Sequence, residues 1–251
     1  MVMLYTIDNL TWSSAPPTYP SFKDKELHIW RIALPVDAII RKNFSKILSS
    51  EEDVQLKKYH FEIDRDRFLV SRGGLRSVLA RYLHILPQTI SFKYNKYGKP
   101  YLHRSKLRFN VSHSGNYILY AITEAVNIGI DIEECKHDID FLSIAKYFFS
   151  KNEYNKFLTV QPSERRLAFY RCWTRKEAVL KALGKGLFFP LHQLEVGFLP
   201  LEKIKFWNFL VRIPKNGLYQ LYEIPFEENY IITIAIKQSA NKIHLWALTL
   251  K

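Results

Sequence analysis

The sequence predicts an α+β chain of two successive halves, each with strands and a long helix, that meet near residue 126. Three patterns carry the prediction. Leu75, Val78, Leu79, Tyr82, Leu83 and Leu86 recur at the spacing of one apolar helix face. Asn127 to Glu133 alternates with period two, so Ile128, Ile130 and Ile132 share one side of a strand and Gly129, Asp131 and Glu133 the other. Residues 163–183 read as a second long helix, which Gly184 and Gly186 end.

Taken in chain order, residues 11–25 are rich in Pro and Ser and read as an irregular lead-in. Leu27-His28-Ile29-Trp30-Arg31-Ile32 reads as a strand. Ser49 and Ser50 before Glu51 and Glu52 mark a helix N-cap and first turn. Pro87 stops the helix that carries Leu75. Short strands follow, with turns at Tyr97-Gly98-Lys99-Pro100 and at Ser114-Gly115-Asn116, the latter between Phe109–Val111 and Tyr117–Thr123. After the alternating strand, residues 141–158 read as helical. From Leu194 the chain is strand-like, most clearly over Tyr230–Ile236 and Ile243–Leu250. The runs His28-Ile29-Trp30 and Ile243-His244-Leu245-Trp246 are alike and hint at a repeated half. The expected division is 1–126 and 127–251.

Bulk properties narrow the function. A chain of 251 residues with 47% hydrophobic and 15% aromatic residues is globular. Two cysteines, Cys135 and Cys172, are too few for a disulfide framework and fit a reduced compartment. The first 20 residues lack the apolar run of a signal peptide, and no stretch approaches the roughly 20 apolar residues that span a bilayer. A soluble, cytoplasmic protein is expected. With 37 Lys and Arg against 24 acidic residues the formal charge is +13, which points to an anionic partner: nucleic acid, a phosphorylated small molecule or an acidic protein.

Three constellations sharpen this. From Arg67 through Thr123 there is no acidic residue, while Arg67, Arg72, Arg76, Arg81, Lys93, Lys96, Lys99, Arg104, Lys106 and Arg108 all fall there. Such a run is often a solvated basic face, but Arg72 and Arg76 lie one helical turn apart and could meet one anion. Ser112 and His113 add hydroxyl and imidazole donors. Next, Asp131 and Glu133 stand on one strand face, about 6–7 Å apart along it. A D-x-E pair commonly just faces solvent; apolar alternation around this one implies a buried strand, where carboxylates need partners and suit a hard cation such as Mg²⁺. Last, Trp173, Glu177 and Lys181 form one stripe of the second long helix. Glu177 and Lys181 have the order of a surface ion pair; alternatively Glu177 is a third metal oxygen and Lys181 meets a phosphate. Trp173 is expected to be core packing.

Gly129-Ile130-Asp131-Ile132-Glu133, and Trp173-Thr174-Arg175-Lys176-Glu177-Ala178-Val179-Leu180-Lys181 with Gly184-Lys185-Gly186-Leu187, resemble the two signature motifs of the 4′-phosphopantetheinyl transferases. Tyr97-Gly98-Lys99-Pro100 and Phe109-Asn110-Val111-Ser112-His113-Ser114-Gly115 resemble the Sfp-like, surfactin-synthetase-activating branch. The resemblance spans roughly residues 50–195. It implies a pseudo-twofold chain of two similar α+β halves, each a helix packed on a small, mostly antiparallel sheet. It implies Asp131, Glu133 and Glu177 as Mg²⁺ ligands, and Lys181, Lys99, Pro100, Ser112 and His113 at the phosphates of coenzyme A, with Arg67 and Arg72 toward its 3′-phosphate. Glu52 and Gln55 stand where members of the branch carry lysines.

The implied reaction is attack of a carrier serine hydroxyl on the β-phosphorus of coenzyme A, releasing adenosine 3′,5′-bisphosphate. Glu177, directly or through a bound water, is the expected proton acceptor, and Lys181 stabilises developing charge. Partners would be coenzyme A and apo acyl, peptidyl or polyketide carrier proteins, with no nucleic acid or membrane and a monomeric enzyme. A carrier is expected to dock near Ile139–Leu158, where Phe141, Leu142, Ile144, Ala145, Phe148 and Phe149 are apolar and Lys146, Lys151 and Lys156 supply charge. The competing readings are a non-catalytic nucleic-acid-binding protein and a metal-dependent phosphohydrolase that uses water as acceptor.

Overall fold

The apolar faces read from the sequence assemble into four layers: helix, sheet, sheet, helix. The computed structural model describes residues 10–16, 19–124, 126–186, 189–198, 207–213 and 215–248. In the first half these form β1 (Ser13–Ser14), β2 (Glu26–Ala33), α1 (Ala38–Ser45), α2 (Ser50–Leu56), α3 (Glu62–Leu83), β3 (Phe92–Tyr94), β4 (Pro100–Leu102), β5 (Leu107–Ser114) and β6 (Tyr117–Glu124). The second half contributes β7 (Ile128–Glu134), α4 (Phe141–Phe148), α5 (Lys151–Leu158), α6 (Pro162–Leu183), β8 (Trp207–Ile213), β9 (Gly217–Ile224), β10 (Tyr230–Ile236) and β11 (Lys242–Ala247). The fold is α+β, with two similar halves. No helix among the described residues is long and apolar enough to cross a membrane.

One sheet runs β1-β11-β2-β6-β5, a second runs β7-β10-β9-β8, and β3 and β4 pair as a small separate ribbon. The second is antiparallel throughout. The first mixes antiparallel β2-β6-β5 with parallel β1-β11-β2, because the last strand returns from the second half to lie beside β2. The two similar aromatic runs are thereby explained: His244 pairs with His28 and Trp246 with Trp30. They are neighbouring strands of one sheet, presenting the same side chains to the same layer.

Period two divides each strand between layers. Trp30, Ile32, Phe109, Ile118, Tyr120 and Ile122 pack on α3, while Leu27, Ile29, Leu119 and Ala121 face Ile128, Ile130 and Ile132 of β7 and Ile232 and Ile234 of β10. On the far side of the second sheet, Ala168, Phe169, Cys172, Ala178 and Ala182 of α6 pack against Val211, Leu221, Ile231 and Ala235.

Three local expectations are corrected. The helical stretch 141–158 is two helices: Phe149 is extended, and Ser150 starts α5 with a full capping box to Glu153. Helix α3 ends before Pro87, at His84, whose φ of 55° places it in the left-handed cap region. Arg72 and Arg76 do not share an anion. Arg76 turns inward to Glu52, 2.6 Å away, and to the carbonyls of Pro87 and Ile90. That buried pair is also the reason an acid stands at position 52, where Glu52 closes the capping box on Ser49. The two cysteines are buried free thiols, in line with the reduced state expected of them. Strand β11 is described to Ala247; Thr249 and Leu250 lie outside the described residues, as does Leu187 of the second motif.

Candidate functional site

The two edge strands β5 and β7, one from each sheet, meet at the seam without a backbone ladder. Side chains take its place. Asn110 Oδ1 accepts from the Ile130 amide at 2.8 Å, Ser112 Oγ from Ile132 at 3.3 Å and Ser114 Oγ from Glu134 at 3.0 Å. The i, i+2, i+4 spacing puts all three on the β7 side of β5, and they satisfy edge amides that would otherwise be buried unpaired.

Helix α6 crosses β7 at Gly129. A Cβ built there would stand 2.0 Å from the Ala178 carbonyl oxygen and 2.4 Å from the Ala182 nitrogen. Backbone meets backbone, and only glycine permits it. This approach sets Glu177 and Lys181 beside Asp131. Gly129→Ala is expected to lever α6 away, at a cost of about 1–3 kcal/mol in urea unfolding together with a loss of activity. Wild-type values for both would mean that the helix is free to shift.

At the contact, Asp131 is buried, and its Oδ1 accepts from Lys181 Nζ at 2.6 Å and from Ser112 Oγ at 3.0 Å. Lys181 Nζ also donates to Ser112 Oγ at 2.8 Å. Oδ2 of Asp131 is buried with no partner among the described residues. Glu133 accepts from Ser114 Oγ at 2.9 Å and from the Trp173 indole. Trp173 therefore does more than the core packing expected of it, although it does stack on Phe169.

Burial and then the negative charge of Asp131 push the carboxyls of Glu133 and Glu177 each up to about 7. Burial also raises Asp131, against the opposing pull of Lys181 and Ser112. Three carboxylates thus surround one ammonium, which takes Asp131 in preference to the expected Glu177. Like charges stand off: among the described residues, the set whose ligand atoms all close within 4.8 Å is elsewhere, at Glu26, His28 and His244. Hard oxygen donors, an excess of negative charge and an orphaned buried Oδ2 together fit a divalent cation at Asp131, Glu133 and Glu177.

Arg67, Arg72, Pro100 and His113 line a single cleft of about 370 Å³ between α3 and β5. Arg67 reaches the Gly115 carbonyl with Nη2 at 3.4 Å, and its buried Nε has no partner among the described residues. Partial burial, with Arg67 and Lys181 adding positive charge, lowers the His113 imidazole. Lys99 lies apart from that cleft. Its ammonium donates to the Ile128 carbonyl at 2.9 Å and to the Lys181 carbonyl, which ties the end of α6 to β7, and burial pushes it down to about 8. Ser112 belongs with Asp131 and Lys181 rather than with the arginines. Sequence reading assigned no role to Asn110 and Ser114; the signal was the run of small polar residues Asn110, Ser112, Ser114 at period two along one strand.

Comparison with known proteins agrees with this geometry. Residues 127–235 match the profile of the 4′-phosphopantetheinyl transferase superfamily, and residues 39–125 that of the 4′-phosphopantetheinyl transferase N-terminal domain. The chain is 36% identical over 216 residues to 4′-phosphopantetheinyl transferase HetI of Nostoc sp., covering 82% of this chain and 90% of that one. It is 34% identical over 163 residues to 4′-phosphopantetheinyl transferase Sfp of Bacillus subtilis (64% and 71% coverage), and 31% over 205 residues to 4′-phosphopantetheinyl transferase gsp of Aneurinibacillus migulanus (82% and 83%). Fold and site together define a group-transfer enzyme built from two similar α+β halves. The chain belongs to the 4′-phosphopantetheinyl transferase family and resembles its Sfp-like branch. Enzymes of this family use coenzyme A and act on carrier proteins.

Proposed function

We propose that the enzyme transfers 4′-phosphopantetheine from coenzyme A to a serine hydroxyl of an apo acyl, peptidyl or polyketide carrier protein, depends on Mg²⁺, and releases adenosine 3′,5′-bisphosphate. The observation that carries the reading is Asp131, held by Lys181 and Ser112 on one oxygen and unpartnered on the other. Asp131, Glu133 and Glu177 would hold the ion, which when bound neutralises pyrophosphate charge.

The protein's own groups do the rest. Lys181 brings a positive charge beside the oxygens on which charge develops. Glu177, raised to about 7, has an affinity for protons suited to accepting one from the attacking hydroxyl near neutral pH. Arg67, whose Nε has no partner among the described residues, Arg72, Pro100 and His113 form the wall for the nucleotide phosphates, so residues 1–126 are the coenzyme side and 127–251 carry the motifs and the metal ligands. Lys99 acts on the coenzyme from the site's rim while bracing α6. Family membership directs the cationic cleft to a coenzyme rather than to nucleic acid. The carrier docks over α4 and α5, where Leu142 and Tyr147 are 40% and 77% exposed beside Lys146 and Lys151, whereas Ala145 and Phe149 pack inward. The enzyme works as a cytoplasmic monomer.

The test is to incubate the protein with coenzyme A, Mg²⁺ and a panel of apo carriers and to weigh the products. A phosphopantetheine mass gain on a carrier serine is expected; no gain on any carrier ends the proposal. Coenzyme A consumed at the same rate without a carrier would favour the phosphohydrolase reading instead.

Acid should weaken the ion's binding. With Glu133 and Glu177 near 7 in the free site, protons compete below that pH. Apparent Mg²⁺ affinity is expected to fall between pH 8 and 6, by about tenfold per pH unit for each proton displaced. Calorimetry in buffers of different ionisation enthalpy reads the released protons; a flat affinity over that range would contradict the raised values.

A further inference from the structure

A second cluster of metal-binding side chains lies away from the carboxylates of β7. The parallel register of β2 and β11 sets His28 beside His244, and Glu26 shares their face of the sheet two residues before His28. One ligand atom from each of Glu26, His28 and His244 lies within 4.8 Å of the others. We propose that these three residues form a site for a divalent transition ion of the zinc class, which staples the returning strand β11 to β2.

Distances support co-ligands more than hydrogen bonds. His28 Nε2 stands 3.5 Å from Glu26 Oε2, and His244 Nε2 stands 3.4 Å from Glu26 Oε1. A good N–H···O bond is shorter, roughly 2.7–3.2 Å. Two ligands of a tetrahedral ion bound at about 2.0–2.1 Å are, by simple trigonometry, about 3.4 Å apart.

The surroundings fix the donors as well. His28 Nδ1 is 2.8 Å from Tyr82 Oη, which also accepts from Trp30 Nε1 at 2.8 Å. An ion held at Nε2 would leave the His28 proton on Nδ1, facing the Tyr82 oxygen, the outer-shell arrangement that orients a ligating histidine. Phe22 stacks on His28 at 4.2 Å and Trp246 on His244 at 5.2 Å, so neither ring is free to turn. Glu26 Oε2 is steadied by the Lys23 amide at 3.0 Å. Two imidazoles and one carboxylate favour zinc over magnesium. The His244 side chain is 25% exposed, which leaves a path for the ion and for a water as fourth ligand.

Cobalt(II) and zinc(II) salts added to the metal-stripped full chain test this. Cobalt is expected to give the strong visible absorption of a four-coordinate site, and zinc at a hundredfold over its Kd to raise the Tm by about 5–10 °C. Both signals should vanish in His244→Ala, whose side chain is 25% exposed and can be removed without unfolding the sheet, while its Mg²⁺-supported transfer rate stays unchanged. Both should persist in Asp131→Asn. Absence of either signal in the wild-type protein, persistence in His244→Ala, or loss in Asp131→Asn, which would place the ion at the β7 carboxylates, overturns the proposal.

Discussion

Asp131→Asn is expected to lower kcat/KM for carrier modification by a thousandfold or more, about 4 kcal/mol of transition-state stabilisation, in a protein that still folds. The substitution is nearly isosteric. Asparagine can still accept at Oδ1 from Ser112 and Lys181, so the seam between β5 and β7 keeps its side-chain rungs. What disappears is the charge, together with the carboxylate oxygen that lacks a partner. Because burial already disfavours that charge, its removal relieves the folded state rather than harming it, and the Tm should be unchanged or higher. Lys181 loses the opposing charge but keeps the amide oxygen, Ser112 and solvent, which its 27% exposed side chain can reach. Circular dichroism and the Tm separate loss of chemistry from loss of fold. A variant within tenfold of wild type would remove Asp131 from the centre of the site. Glu177→Ala should also abolish modification, since it takes away both a donor to the ion and the proposed proton acceptor.

The parts of this site that local pattern could reveal were legible. Alternation over 127–133 put Asp131 and Glu133 on one face because a strand's period is fixed by its backbone, and both do face α6. Helix periodicity and Gly184 likewise bounded the second long helix to within a residue of its observed span. What failed was non-local. Nothing near Arg76 says that Glu52, 24 residues earlier, takes its guanidinium; without that partner the arginine looked available for a phosphate. The break at Ser150 had a local signal, Ser150 with Glu153, but the apolar run across it read as one helix. The rungs from Asn110, Ser112 and Ser114 have meaning only once two sheet edges face each other. The two carbonyls that brace Lys99, of Ile128 in β7 and Lys181 in α6, are likewise invisible from its own short turn. The kinship of His28-Ile29-Trp30 and His244-Leu245-Trp246 was visible, but only pairing shows that the two runs lie side by side and bring Glu26 into the same cluster.

Lys176, five residues before Lys181 on the same helix and inside the same motif, illustrates how one motif mixes two kinds of residue. Its side chain is fully buried, 2.7 Å from the equally buried Glu153, and donates to the carbonyls of Leu191 and Leu194. Glu153 in turn accepts from the amides of Ser150, Val196 and Gly197. Burial works against the charge on Glu153; Lys176 and these amides more than offset it and hold the carboxyl below its usual range. One ion pair therefore joins α5, α6 and the segment after α6. Lys176→Met removes the cation and leaves the carboxylate buried among amides, an uncompensated charge that costs about 3–5 kcal/mol. For a chain of this size that is a fall in Tm of about 6–20 °C. Lys181→Met also takes the cation from a buried carboxylate, but burial already raises Asp131 toward its neutral form and the lysine is partly solvated, so the Tm should fall by less than in Lys176→Met while the transfer rate collapses. Calorimetry and single-turnover rates on the two variants measure this directly. If Lys176→Met kept its Tm and lost the rate of chemistry at saturating substrate, the buried lysine would belong to the active site and the division drawn here along α6 would be wrong.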